Sequence, residues 1–230
     1  MNLVEAFRWI ADPGNWGGTS GIAARIVEHL WVTFLSLLAA AAVALPVGVL
    51  IGHTGRGAGV IGAFTGAFRA IPTLGLLTLF GLLLGIGLAA PMLALVILAI
   101  PSLLAGAYSG IHSVDPTIAG AARAIGMSPA QVITRVELPL ALPVLIGGIR
   151  AATLQIVATA TLAAYTADYG LGRYLFAGLK TRDYPQMIGG AIIVIALALI
   201  LELLLAAVQR TIDQRVTRPS TREKLGSRHG

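Results

Sequence analysis

Apolar residues in this chain do not alternate with polar ones. They run in long uncharged blocks separated by short polar punctuation. From Leu30 to Gly52 there is no charged residue, a run long enough to cross about 30 Å of hydrocarbon as a helix. Trp31 stands at one end of it, where an indole favours the headgroup layer. A glycine-rich polar turn with Arg56 follows at 53–59. Val60 to Gly87 reads as a second span, interrupted by Arg69 and by Pro72, which removes a backbone donor and should kink or restart the helix. Gly81 and Gly85 carry the spacing that lets two helices approach closely. Residues 70–111 contain no charge, too long for one span, so a tight turn is expected at Gly85, Gly87 and Pro91. A third span then runs to Ile111 with Pro101 inside it. Leu138 to Tyr165 is a fourth span with Arg150 as its only charge, and Tyr184 to Val208 a fifth that contains Glu202.

The intervening polar stretches carry helix signals of their own. Asp115-Pro116 and Ser128-Pro129 each place a capping side chain before a proline at the first helical position. Two short helices lying at the membrane surface are therefore expected between 112 and 137. Residues 168–183 read as a polar loop. Residues 3–10 suit either a short amphipathic helix at the interface or a loosely ordered terminus, with a turn at Asp12 to Asn15.

Composition supports a membrane protein. Hydrophobic residues make up 57% of the 230 and charged residues 11%, against about 25% charged in a soluble domain. With no cysteine, disulfides and thiol chemistry are excluded. The net charge of +6 is concentrated at the C-terminal end: Arg210, Arg215, Arg218, Arg222, Lys224 and Arg228 are six of the 16 basic residues. A basic tail after a span is a topology signal. It places the tail, the 53–59 turn and the 112–137 segment on the cytoplasmic side and the N-terminus outside, although Arg173, Lys180 and Arg182 in the external loop oppose the bias. No cleaved signal peptide is expected, because charged residues are scattered through 1–28.

No catalytic constellation is visible. His29, His53, His112 and His229 lack metal-ligand spacing, and Gly178-Leu179-Lys180-Thr181 lacks the residue order of a phosphate loop. The chain is read as a non-enzyme, with no cofactor or metal of its own. The informative segment is Gly120-Ala121-Ala122-Arg123-Ala124-Ile125-Gly126, followed after nine residues by Val136-Glu137-Leu138-Pro139. Small residues at 121, 122 and 124 allow a short helix to sit close in a partner's groove, and Gly126 can end that helix with positive φ.

This segment resembles the cytoplasmic coupling motif of ABC importer permeases, with Gly120 where the family usually has Glu and Val136 where it has Ile. The resemblance extends through Ile71-Pro72-Thr73-Leu74, Val114-Asp115-Pro116, Leu138-Pro139-Leu140-Ala141-Leu142-Pro143, Gly148-Ile149-Arg150 and Gly170-Leu171-Gly172. There the chain is similar to permeases of glycine betaine, choline and carnitine import, the osmoprotectant branch of the binding-protein-dependent importers. The resemblance implies an all-α, polytopic membrane bundle of about five transmembrane helices with the MetI-like ABC permease fold. It implies an ABC ATPase dimer carrying ATP and Mg, a second permease (identical or paralogous) and an external substrate-binding protein.

The expected organisation is an external N-terminal segment at 1–28, a transmembrane permease domain at 29–210 with its coupling segment at 116–137, and a basic cytoplasmic tail at 211–230. Gly120, Ala121, Ala122, Gly126, Leu138 and Pro139 would contact the ATPase. Arg150 would line the pathway, pair with Glu202 or reach the interface. Phe64, Phe68, Phe80, Tyr108, Tyr165 and Tyr169 could face a quaternary ammonium by cation–π attraction or serve in packing. Two rivals remain: the same architecture for an amino acid or another osmolyte, and an ion-coupled secondary carrier. The carrier would need intramembrane acids and an internal repeat, and the sequence offers one acid and no repeat.

Overall fold

The computed structural model describes residues 3–216, all of whose regular elements are helical. The tail residues Arg218, Arg222, Lys224, Arg228 and His229 lie outside them. A short helix α1 (Leu3–Ala11) is followed by a single turn of 3-10 helix (Pro13–Asn15) and the long helix α2 (Ile22–Thr54). Next come α3 (Ala58–Arg69), α4 (Thr73–Leu84), α5 (Ala89–His112) and α6 (Pro116–Ala124). The chain from Pro129 to Thr166 is one helical run, made of α7 (Pro129–Val132), a π-type turn (Ile133–Glu137), α8 (Leu138–Thr159), a 3-10 turn (Ala160–Leu162) and α9 (Ala163–Thr166). Helices α10 (Gly172–Thr181) and α11 (Tyr184–Val216) complete the order.

Four of these runs are long and apolar enough to cross a membrane. Helices α3 and α4, bent by 81° at the break between them, are together long and apolar enough to count as a fifth, either as a broken span or as a re-entrant loop. The bend falls at Pro72, where the missing N–H and the clash of the ring with the preceding turn end one helix and start another.

The main core lies between α2, α5 and α8, where Val32, Ala40, Leu95, Ala99, Leu103 and Ile156 are buried together. The helices approach closely because glycines line their crossings. A Cβ on Gly106 would stand 2.6 Å from the Gly148 Cα, and one on Gly48 would stand 2.7 Å from the Ala107 Cβ. A second cluster, at the end of the bundle where α2 starts, joins Ile22, Leu171, Tyr174 and Val194 with Trp9 and Ile10 of α1.

Four expectations are corrected. The first span begins at Ile22 rather than near Leu30, so the last residues of the supposed external segment, including Arg25 and Glu28, are helical. Their charges are tolerated because they are paired. Glu202 is consequently not the only acid in a spanning helix. Residues 168–183 are not merely a loop, since α10 fills most of them. The second surface helix of the 112–137 segment is instead the start of the fourth spanning run. Pro139 has no N–H to donate to Arg135, and the backbone absorbs this by widening: the Leu138 N–H donates to the carbonyl of Ile133, five residues back. The third span starts at Ala89, placing Pro91 inside the first turn of α5 rather than in the connection.

Candidate functional site

The end of the bundle that carries α6 is built from local signals. The Asp115 carboxylate accepts from both the backbone N–H and the hydroxyl of Thr117, each at 2.8 Å. Those bonds, backbone first, hold its carboxyl below the usual range, with partial desolvation opposing. Pro116 occupies the first turn of α6. At the other end Gly126 takes φ of 90°, its N–H donates to the Arg123 carbonyl, and the Met127 N–H donates to that of Ala122. This is a Schellman termination, which needs the left-handed residue that glycine supplies cheaply. Ser128 and Gln131 then form a reciprocal capping box.

This hairpin has two faces. Ala119 and Ala122 point inward and pack with Val132, Met127 and Val136. Ile118, Ala121, Arg123, Ala124 and Ile125 are exposed, Ile125 at 80%. A Cβ on Gly120 would meet nothing within 4 Å. Of the sequence-predicted coupling residues, Ala121 and Gly126 therefore face solvent, Gly120 borders it, and Ala122 belongs to the hairpin's own core. Leu138 is half-buried and Pro139 exposed at the start of α8.

One long-range tie holds the hairpin to the bundle. The buried Glu137 carboxylate lies 2.7 Å from Nδ1 of His53, at the end of α2. Sequence reading missed His53. Its signal was a histidine and a glutamate on the same side of the membrane, each at the boundary of an apolar run.

Arg150 and Glu202 are brought together between α8 and α11. Arg150 Nε donates to Glu202 Oε2 at 2.8 Å and its Nη2 to Oε1, a two-pronged pairing, while Nη1 donates to Gln209 Oε1 at 3.1 Å. Gln209 in turn donates to the Pro143 carbonyl at 3.2 Å.

Beside the break in the second span lies a cavity of about 120 Å³, with Phe68, Thr73, Ser102 and Gln155 in its wall. Ser102 Oγ donates to Gln155 Oε1 at 3.1 Å. Gln155 is the only amide side chain in the apolar stretch 151–158, a signal that sequence reading passed over. Phe68 stacks on Phe64 with centroids 4.1 Å apart. Of the other aromatic candidates, Tyr108 stacks on His112 and Tyr165 leans on Phe176.

The opposite end of the bundle holds a larger pocket, about 410 Å³, bordered by Trp9, Arg25, Asp168, Arg173 and Tyr174. Arg25 is 5% exposed. It donates to Glu28 at 2.9 Å, to the Asp168 carbonyl at 2.8 Å and to the Asp168 carboxylate at 3.1 Å. Arg173 pairs with the same carboxylate at 3.0 Å, and Glu28 also accepts the Gly170 N–H at 2.8 Å. The Tyr174 hydroxyl donates to the Ser20 carbonyl at 2.8 Å. Burial pushes that phenol above its usual range, with Arg25 opposing and Glu28 reinforcing.

Comparison with known proteins assigns this architecture. Residues 44–218 match the family described as binding-protein-dependent transport system inner membrane component. The chain is 35% identical over 186 residues to the choline transport system permease protein of Bacillus subtilis, covering 81% of this chain and 86% of that one. It is 34% identical over 188 residues to the glycine betaine/carnitine/choline transport system permease protein of the same bacterium, covering 82% and 87%. Among solved structures, a chain of the inward-facing MetNI methionine ABC transporter superposes with a TM-score of 0.72 at 24% identity, over 83% of this chain and 95% of that one. That likeness concerns the fold.

Proposed function

This chain belongs to the binding-protein-dependent transport system inner membrane components, the permease subunits of ABC importers, and from that premise we propose that it carries a small quaternary ammonium solute such as glycine betaine, choline or carnitine. The observation that carries the cargo assignment is the similarity to permeases named for those solutes, which spans more than four-fifths of this chain and of each relative.

The geometry supports a specific route for coupling. A partner ATPase, holding ATP and Mg, docks on the outward face of α6 through Ile118, Ala121 and Ile125. This chain supplies binding and motion and no catalytic group. Displacement of α6 passes to the bundle along two connections. One is the run from Pro129 to Thr166, in which the π-type turn carries the hairpin into α8 without a loop. The other is the His53–Glu137 contact, which ties the same turn to the end of α2. Because α2, α5 and α8 touch through glycines, a shift of one requires a shift of the others, and the bundle moves between outward- and inward-open forms as a unit. A second permease copy or paralogue completes the pathway, an external binding protein delivers the solute, the N-terminus lies outside and the C-terminus inside.

Deleting this chain from cells without a redundant system should abolish ATP-dependent uptake of all three solutes at high salt. Undiminished uptake of every one would refute the cargo assignment.

A further inference from the structure

The cavity at the break of the second span has a chemistry that the assignment as a permease leaves unused. Ser102 stands near the middle of α5 and the break near the middle of its span, so the cavity lies at membrane depth. One turn along α5 from Ser102, the Gly106–Gly148 crossing brings the backbones of α5 and α8 into contact. Beyond that crossing, Ser102 and Gln155 stand between α5 and α8 as a hydrogen-bonded pair.

Non-helical backbone in a membrane persists where it is buried in protein or borders a polar cavity. Here the break does the latter. Thr73, the first residue of α4, lines the cavity, and no side chain caps that helix. The first N–H groups of a helix lack intrahelical acceptors and carry its positive end. Ser102 gives its proton to Gln155 Oε1, and among the described residues nothing accepts from Gln155 Nε2. The start of α4 and the Gln155 amide thus both offer hydrogen-bond donors beside the cavity. Phe68, backed by Phe64, adds a π face, which attracts quaternary ammonium groups. Among the described residues, no charged side chain lines the cavity.

We propose that this cavity is a selectivity site for the cargo inside the membrane, shaped for a small zwitterion. The carboxylate meets the start of α4 and the Gln155 amide, and the quaternary ammonium rests on Phe68. The proposal rests on the cargo class assigned above and sharpens it. A zwitterion brings no net charge to a wall of Phe68, Thr73, Ser102 and Gln155, whereas a simple cation meets no carboxylate among them, and burying an unpaired charge is costly. Carboxylated solutes should therefore pass more readily than choline.

The test uses the whole transporter, with this chain, its ATPase and its binding protein reconstituted in vesicles. Uptake of glycine betaine and of choline is measured, each with its binding step saturated. Wild type should favour betaine. Gln155→Glu sets a negative charge beside the carboxylate and should lower betaine uptake about tenfold or more while choline uptake is kept or raised. Retained choline uptake shows that the variant is assembled. If the glutamate variant does not assemble, Gln155→Met, close in volume and unable to donate, should give the same selective loss of betaine. Phe68→Leu should weaken both solutes and Phe68→Trp should restore them. Equal losses of both solutes at position 155, or no loss, would overturn the site while leaving the cargo assignment intact. A wild type that carries neither solute would overturn both.

Discussion

The two ends of the bundle are held by different means. At the end where α2 starts, α1, α2, α10 and α11 pack on one another. Arg25 reaches Glu28 and Asp168, Arg173 joins the same carboxylate, and Trp9 stands edge-on to Tyr174 with centroids 5.0 Å apart. At the opposite end, α6 keeps only a small core of Ala119, Ala122 and Val132 and turns an apolar face outward. One end is tied by long-range charge pairs, and the other leaves an apolar helix face exposed. Under the proposed function that exposed face is the contact surface.

The sharpest way to break this contrast is Arg25→Ala. Asp168 keeps Arg173 and Glu28 keeps the Gly170 N–H, but the change removes three charge-assisted hydrogen bonds, each worth about 1.5–3 kcal/mol. Thermal unfolding of the purified complex should show the loss, and a Tm equal to wild type would mean that this end is not held by its charges. Next comes His53→Ala, which strands the buried Glu137 carboxylate at a cost of about 3 kcal/mol. It should loosen the hairpin from α2, seen as ATP hydrolysis no longer matched by uptake. Tight coupling in that variant would argue that the Pro129–Thr166 run transmits the motion alone.

A pair of tryptophans separates the two faces of α6. Ala122→Trp forces volume into the hairpin's own core and should destabilise it by about 1–3 kcal/mol. Ala121→Trp points outward and should spare stability yet weaken ATPase docking by a similar amount, roughly five- to hundred-and-fifty-fold in association. Co-purification of the ATPase together with a melting curve reads both, and identical behaviour of the two variants would dissolve the distinction between inner and outer faces. The smallest effect is expected from Gly120→Glu, which restores the family's usual residue at a position with open space around it. A charge at the edge of the docking surface is worth about 0.2–1 kcal/mol, so ATPase affinity should change by no more than about fivefold.

Much of this was legible beforehand, for identifiable reasons. The spans follow from uncharged runs, because a bilayer tolerates little else and the signal is local. The ends of α6 follow from Asp115, Pro116 and Gly126, whose side chains or lack of one dictate the backbone within a few residues. The Arg150–Glu202 contact was one of three readings left open. The sequence supplied the two candidates, and only the crossing of α8 and α11 selected between pairing, pathway lining and the interface. Arg25 was legible as a charge, but it argued for ending the span near Leu30. Its partner Asp168 lies 143 residues away, and no local pattern announces that a charge will be neutralised from so far off.

By itself, then, the sequence determined the membrane-spanning class, the order of the spans, the helix caps of the coupling hairpin and the break at Pro72, all properties set by neighbours along the chain. The tertiary structure decided which face of α6 looks outward, that the hairpin runs unbroken into α8, that His53 meets Glu137, and that Ser102, Gln155, Thr73 and Phe68 share one cavity. Each of these depends on how helices distant in sequence cross. Glycines such as Gly106 and Gly148 permit close contact but do not say with which partner, so the pairing emerges only when the whole bundle packs.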